Sequence, residues 1–512
     1  VANGHAAQVH GGCVECVPTQ DKGRVLVAQR AFQQGQVIFS EQPLLTVAAD
    51  AQDEAFVALR RLCDGRGWDF EPLWYWAALR SLTEDQLSGG PLARAPPLAP
   101  EKQEKLLILH QGERNGVSAA CAAIGKQFAP RAEAILLERV LQVWVHNAFD
   151  YSDDPPGYAT YFLPSFMSHS CWPNAFWHYG AGGKNSYVLR ARRNIAKGEE
   201  ITVSYLDESL LLACAPERRW DLWESKLFWC ACERCCGGVD RSRGLTCPVC
   251  RSGSVFASPG GPSRLASGTL GPGALVGAAC GACGCELTLE QAISLSGHEA
   301  SLKGILDGWQ EDGAPSEIEA QQVEELVEAC FPQHFLGDRA RGRLARLHRL
   351  AGRRDEQVRL LEARAAFLAA AYPGLSAARG WMLESLGDAL MMRAARGGAP
   401  DTEGGDDSLR RGLRAYMEAS RILELMFGED HEYSDGLLTK VAYANAQLQL
   451  LSIPLLLPGR AAGALEGPEG GASKRPRLAE EKRVSAPPLR GGGGVPRSRH
   501  ALGCNTPPVL RG

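Results

Sequence analysis

Three stretches of the chain carry the residues best able to do chemistry. The first reads Ser165-Phe166-Met167-Ser168-His169-Ser170-Cys171-Trp172-Pro173-Asn174, and the second, Lys197-Gly198-Glu199-Glu200-Ile201-Thr202-Val203-Ser204-Tyr205, ends on a phenol. The third, Phe228-Trp229-Cys230-Ala231-Cys232-Glu233-Arg234-Cys235, places three thiols within six positions. Three thiolates do not close a tetrahedral zinc site, so a fourth ligand must come from elsewhere. Cys171 taken alone reads as a buried small apolar residue, a common fate of free cysteine; the nearby thiol cluster argues against that. Further on, Cys247-Pro248-Val249-Cys250 and Cys280-Gly281-Ala282-Cys283 form two CxxC knuckles separated by a Gly-rich loop, the spacing of a zinc ribbon. Four thiolates leave no open position for chemistry, so that site is structural, with Cys285 as a spare or alternative ligand. Cys13 and Cys16 form a lone CxxC with no second pair nearby and read as unstructured.

The elements that must position these groups follow from periodicity. Lys197-Gly198-Glu199-Glu200 is a turn, and Ile201, Val203 and Tyr205 alternate with Thr202 and Ser204 along a strand. Tyr205 stands at that strand's end, where its hydroxyl can reach a pocket. Lys22-Gly23-Arg24 opens two short strands around a Gly turn, running to Pro43. His146-Asn147-Ala148-Phe149 closes a helical stretch, and Asn147 taken alone reads as a helix terminator.

The three stretches, in this order and spacing, resemble the SET domain of protein lysine methyltransferases, and most closely the SET-and-MYND type. The resemblance implies an α+β multidomain chain. A β-rich SET domain spans 20-236, with a helical insert at about 51-146 and the cysteine cluster 230-235. It implies S-adenosylmethionine as methyl donor, held by Lys22, Gly23, Arg24, Asn147, Ser165, Ser168, His169, Tyr205 and Phe228, and a lysine channel lined by Phe149 and Tyr205, with Tyr205 catalytic. It makes Cys171 the fourth zinc ligand beside Cys230, Cys232 and Cys235, and it implies a threaded, knot-like core. Three positions depart from the family pattern. Val25 stands where a second Gly is common, and Ser168 where Asn is usual. Lys226 falls at or beside a channel aromatic, leaving the number of methyl groups transferred open. The insert contains only Cys63 and Cys121, so no MYND finger can be built in it.

At 512 residues the chain is long enough for several domains. A net charge of -4 gives no electrostatic case for nucleic-acid binding. Most of its 17 cysteines cluster between Cys171 and Cys285, which together with no apolar leader argues for metal in a reducing compartment, nuclear or cytoplasmic. No apolar run is long enough to span a membrane. Residues 1-19 read as irregular. Within the insert, helices are expected over Ala55 to Leu62, Leu73 to Leu82, Glu101 to Leu109 and Arg131 to Trp144. After the ribbon-like segment 237-286, the chain reads as helical over 287-455, with apolar stripes such as Leu344, Leu347, Leu350 and Leu413, Met417, Leu423. Successive helices of this kind suggest a tetratricopeptide-like array that could bind protein partners. The tail 456-512 has too few large apolar residues to fold, and Lys474-Arg475-Pro476-Arg477 reads equally as an import signal or a solvated basic run. The function these readings support is methylation of a lysine on a histone or non-histone protein. The rival is a catalytically weak zinc scaffold that binds partners.

Overall fold

In the computed structural model, residues 1–93, 95–112, 116–180, 186–260, 270–309, 315–396 and 403–452 are described. The tail 456-512 and its basic run lie outside them.

Small sheets carry the residues of the first two stretches. Val14–Pro18 pairs antiparallel with Arg24–Ala28, which pairs antiparallel with Glu200–Val203. The last strand also runs parallel to Ser168–His169, with Thr202 opposite Ser168 and Val203 opposite His169. That register brings two chemistry-bearing stretches side by side. It is held by the buried faces of Leu26, Ala28, Ile201 and Val203. Val37–Glu41, Tyr187–Ala191 and Ala175–Tyr179 form a second sheet, and Leu45–Ala48, Pro156–Thr160 and Ala148–Asp153 a third.

The expectation for residues 1-19 is corrected. They form a helix, Ala2–His10, ended by Gly11 in the left-handed region, and then the Val14–Pro18 strand. Asn3 fastens the two: its Oδ1 accepts from the Cys16 N–H at 2.7 Å and its Nδ2 donates to the Cys16 carbonyl. Cys16 is thus a strand residue and Cys13 immediately precedes the strand, its thiol donating to the Ile38 carbonyl. Gly and His give this segment little helical propensity, so packing decides its structure.

Between Ala48 and Ala148 the chain is a helical insert around Trp74, Trp144 and Phe128. Four helices, Glu54–Cys63, Pro72–Arg80, Pro100–Ile108 and Ala134–Asn147, fall close to the expected spans. Two more, the short Glu84–Leu87 and the longer Ala119–Phe128, are not expected from the pattern; in the longer helix the Ser118 N-cap accepts from the Cys121 N–H. Two alanine pairs blur that helix's apolar stripe, although Ala120, Cys121, Ile124 and Phe128 are all buried.

Beyond the cysteine cluster, Arg243–Thr246 pairs with Ser254–Phe256 on one edge and with Gln333–His334 on the other. The segment read as helical throughout 287-455 therefore donates a strand to the ribbon. A buried network fixes this junction: Glu299 accepts from the Arg243 guanidinium at 2.7 and 2.6 Å and lies 2.8 Å from His334 Nε2. The other elements there are helices: Leu289–Gly308, Glu317–Cys330, Phe335–Ala351, Arg354–Ala371, Ala377–Arg396, Glu403–Phe427 and Glu432–Ser452. From Phe335 onward, neighbours in sequence pack on one another. Leu350 and Met417 are exposed rather than core. Leu350 lies off the buried face of its helix, which is made by Arg341, Leu344, Ala345 and His348. Trp172 meets Tyr372 at 4.6 Å between ring centres, and Arg192, paired with Glu208, donates to the Leu375 carbonyl. Both contacts join the sheets to the helical array. Among the described residues no helix is long and apolar enough to cross a membrane.

Candidate active site and cysteine centres

Cys171, Cys230, Cys232 and Cys235 converge, with all four Sγ atoms within 4.8 Å of one another. Cys171 Sγ lies 3.9 Å from Cys230 Sγ and 3.5 Å from Cys235 Sγ. Tetrahedral zinc with Zn–S bonds of about 2.3 Å sets its sulfurs about 3.8 Å apart, so the donor set and its spacing fit that ion. The second group, Cys247, Cys250, Cys280 and Cys283, fits equally: Cys247 and Cys283 are 3.8 Å apart, as are Cys250 and Cys280. Cys285 is outside it, its thiol directed at the Glu286 carbonyl. The described cysteines are all free thiols.

Two buried arginines back the first cluster. Arg218 donates to Cys235 Sγ, and Arg219 donates to the Cys230 and Cys235 carbonyls at 2.9 Å. Four thiolates around a dication carry net negative charge, which these guanidiniums offset. Hydrogen bonds from Cys171 and then Cys230 push the Cys232 thiol well down, while bonds to the other three thiols push Cys171 up.

His169 links this cluster to the tyrosine. Its Nδ1 accepts from the Tyr205 backbone N–H at 3.0 Å, which leaves the proton on Nε2, 3.3 Å from Cys171 Sγ. Burial lowers its pKa to about 3, so the ring is neutral. The imidazole expected at a cofactor is engaged within the protein at both nitrogens. It holds the strand end that presents Tyr205 and steadies a thiol ligand, in the manner of residues that orient metal ligands from behind.

Tyr205 donates its hydroxyl to the Met167 carbonyl. Its ring centre lies 5.4 Å from His169 and 6.3 Å from Phe228, and His169 and Phe228 are 5.9 Å apart. Burial, with Glu200 adding to it, raises the phenol to about 12. It stays protonated at neutral pH, so it can donate a hydrogen bond but is a poor base.

The other expected residues fall into separate groups. Lys22 pairs with Glu200 at 2.8 Å, and Ser168 donates its hydroxyl to the same carboxylate. Gly23 turns with φ +73°, and Arg24 lies over the Phe166 ring at 4.7 Å. The Ser165 hydroxyl donates to the Tyr161 carbonyl at 2.6 Å. Asn147 donates to the His110 and Val143 carbonyls, closing its helix as its composition alone suggests.

Phe149 sits in an aromatic box that sequence reasoning missed. Tyr161, Trp177 and Tyr187 stand 5.4, 5.5 and 5.6 Å from its ring, all near perpendicular. Trp177 and Tyr187 stack at 5.0 Å, and the buried Tyr187 hydroxyl has no hydrogen-bond partner. Strand alternation was the available signal. Trp177 and Tyr179 share a face, and Tyr187 lies across from Tyr179 in the neighbouring strand. Lys226 is also close by, its Nζ 5.9 Å from the Tyr205 ring centre. Burial lowers that amine to about 8, against a smaller opposing effect of Asp150. His146, lowered to about 4 by burial first and then by His110 and Lys226, is neutral beside it.

Residues 23–206 match the family profile of the SET domain, and over that span the chain is a SET domain. A SET and MYND domain-containing protein of Dictyostelium discoideum is 33% identical over 108 residues, 19% of this chain and 30% of that protein. The histone-lysine N-methyltransferase ASHR1 of Arabidopsis thaliana is 36% identical over 90 residues, 18% of each chain. The histone-lysine N-methyltransferase ATXR2 of the same plant is 38% identical over 108 residues, 21% of this chain and 22% of its own. The matches thus span less than a third of each of these relatives.

Proposed function

We propose that this SET domain transfers a methyl group from S-adenosylmethionine to a lysine amine on a protein. The observation that carries the reading is the placement of Tyr205. Its hydroxyl is fixed against the Met167 carbonyl, its ring packs with those of His169 and Phe228 in a triangle, and His169 ties its backbone to a cysteine cluster spaced for zinc. Relatives that carry histone-lysine N-methyltransferase names support it.

S-adenosylmethionine, when bound, supplies an electrophilic methyl group on a sulfonium. The residues present fit such a cation in part. The rings of Tyr205 and Phe228 suit a sulfonium. Ser165 and Ser168 have given their hydroxyl protons to Tyr161 and Glu200 and can only accept. Lys22, Gly23, Arg24, Asn147 and the Ser165–His169 backbone complete the proposed cradle.

A lysine ammonium has no lone pair, and its ordinary pKa is about 10.4. The chain must therefore receive the neutral amine. The aromatic box around Phe149 favours it by withholding water, since desolvation disfavours the charged form. The unpartnered Tyr187 hydroxyl is a hydrogen-bonding group within that box. Tyr205 then orients rather than deprotonates, because its phenol is held near 12. Alignment at near-attack distance supplies most of what remains. The zinc proposed at Cys171, Cys230, Cys232 and Cys235 is structural, as is that at Cys247, Cys250, Cys280 and Cys283.

The rival reading, a zinc scaffold binding partners through its tetratricopeptide-like helices, is favoured by one observation: the Ser168 side chain is tied to Glu200 instead of being free for a ligand. Incubating the zinc-replete chain with S-adenosylmethionine labelled on its methyl, together with histones or a protein extract, separates the two. Label appearing on lysines supports the enzyme; no label from folded protein supports the scaffold.

A further inference from the structure

The face between the Ala2–His10 helix and the Val37–Glu41 strand holds three metal-capable groups that methyl transfer does not use. His5 Nε2 and His10 Nε2 both approach Glu41 Oε2, at 3.4 and 3.5 Å. The three ligand atoms lie within 4.8 Å of one another. Both Nε2 atoms are buried and neither has a hydrogen-bond partner. Glu41 is itself buried and immobilised, its Oε1 accepting from the Phe162 N–H at 2.6 Å and more weakly from the Leu163 N–H. Phe39 and Phe162 wall the group in, 5.0 Å from His10 and 5.2 Å from His5.

The spacing separates a metal site from a hydrogen-bonded one. Hydrogen bonds between nitrogen and oxygen run about 2.7–3.2 Å, shorter than either approach. A tetrahedral zinc with bonds of about 2.0–2.1 Å to nitrogen and oxygen sets those atoms about 3.4 Å apart. The thiol clusters show the matching value for sulfur. The two nitrogen–oxygen distances at Glu41 thus match zinc geometry, as the sulfur–sulfur distances of the thiol clusters do.

We propose that His5, His10 and Glu41 bind a third zinc ion, which clips the N-terminal helix onto the strand and, through Glu41, onto the Phe162–Leu163 backbone. Water fills the fourth position. Lys105 Nζ lies 3.1 Å from His5 Nδ1 and 5.6 Å from the Phe162 ring centre. Metal on Nε2 places the ring proton on Nδ1, so Lys105 either accepts as an amine or turns toward that ring. Without metal, Lys105 donates to Nδ1, and His5 turns its Nε2–H toward Glu41 in a proton-linked chain. The inference stands independently of the methyl-transfer reading.

Zinc content of the purified full chain, measured by plasma mass spectrometry, tests it. Wild type is expected to hold three zinc ions per chain, and His5→Ala/His10→Ala two, with the far-ultraviolet spectrum retained. Two zinc ions in wild type, or equal content in both proteins, overturns the proposal. Should the double variant misfold, cobalt gives a second measurement on wild type. A chelator too weak to strip four-thiolate zinc first empties the histidine site, and one equivalent of cobalt is then added. Visible bands without thiolate charge transfer support the site, and no such bands overturn it.

Discussion

Lys226 stands out at the scale of single residues. A basic group buried beside Tyr205 and the neutral His146, with Asp150 offsetting only part of the cost of burial, strains the fold at neutral pH. Its amine titrates near 8 when folded and near 10.4 when unfolded. The folded chain thus binds fewer protons between those values, and stability rises with pH across that window. Below about 8 the penalty is fully present. Lys226→Met should therefore melt above wild type at pH 7, with the gap closing toward pH 10; a gap that is absent, or constant with pH, contradicts this account. The two cysteine groups were legible in the sequence because their spacing is itself the signal. What their neighbours already hold was not. The Ser168 hydroxyl is claimed by Glu200, 32 positions on, through a strand pairing that no local pattern announces. His169 was marked by its motif, yet its two nitrogens serve the Tyr205 backbone and Cys171.

At the scale of elements, the cysteine centres and the ribbon junction carry the predictions. Cys232→Ala should release about one zinc equivalent and lower the melting temperature, because binding energy at such a site is folding energy; unchanged zinc and melting would remove Cys232 from the site. At the junction, Glu299→Ala leaves the Arg243 guanidinium buried without its carboxylate, which should cost about 3–5 kcal/mol in denaturant unfolding. A loss below about 1 kcal/mol would mean that the network does not hold the ribbon to the helices. Four of the insert helices were readable because each has a clear apolar stripe. Ala119–Phe128 was not, since alanine fills both faces. The Gln333–His334 strand was hidden for another reason: it is two residues long and exists only by pairing with Arg243 and Gly244.

Across the whole molecule, the contacts run from the SET domain through the cysteine centres into the helical array. Trp172 on Tyr372 and Arg192 on Leu375 set helices against the strand-bearing core. The array is thus packed in a fixed position against the strands that carry Tyr205's neighbours. The central claim is that this assembly positions an amine through Tyr205. The measurement that tests it most directly is labelled-methyl transfer by wild type and Tyr205→Phe, with S-adenosylmethionine affinity measured beside it. The account predicts transfer by wild type, a loss of about a hundredfold or more in the variant, and cofactor affinity little changed. Equal transfer by both proteins, or none from zinc-replete wild type, would contradict it.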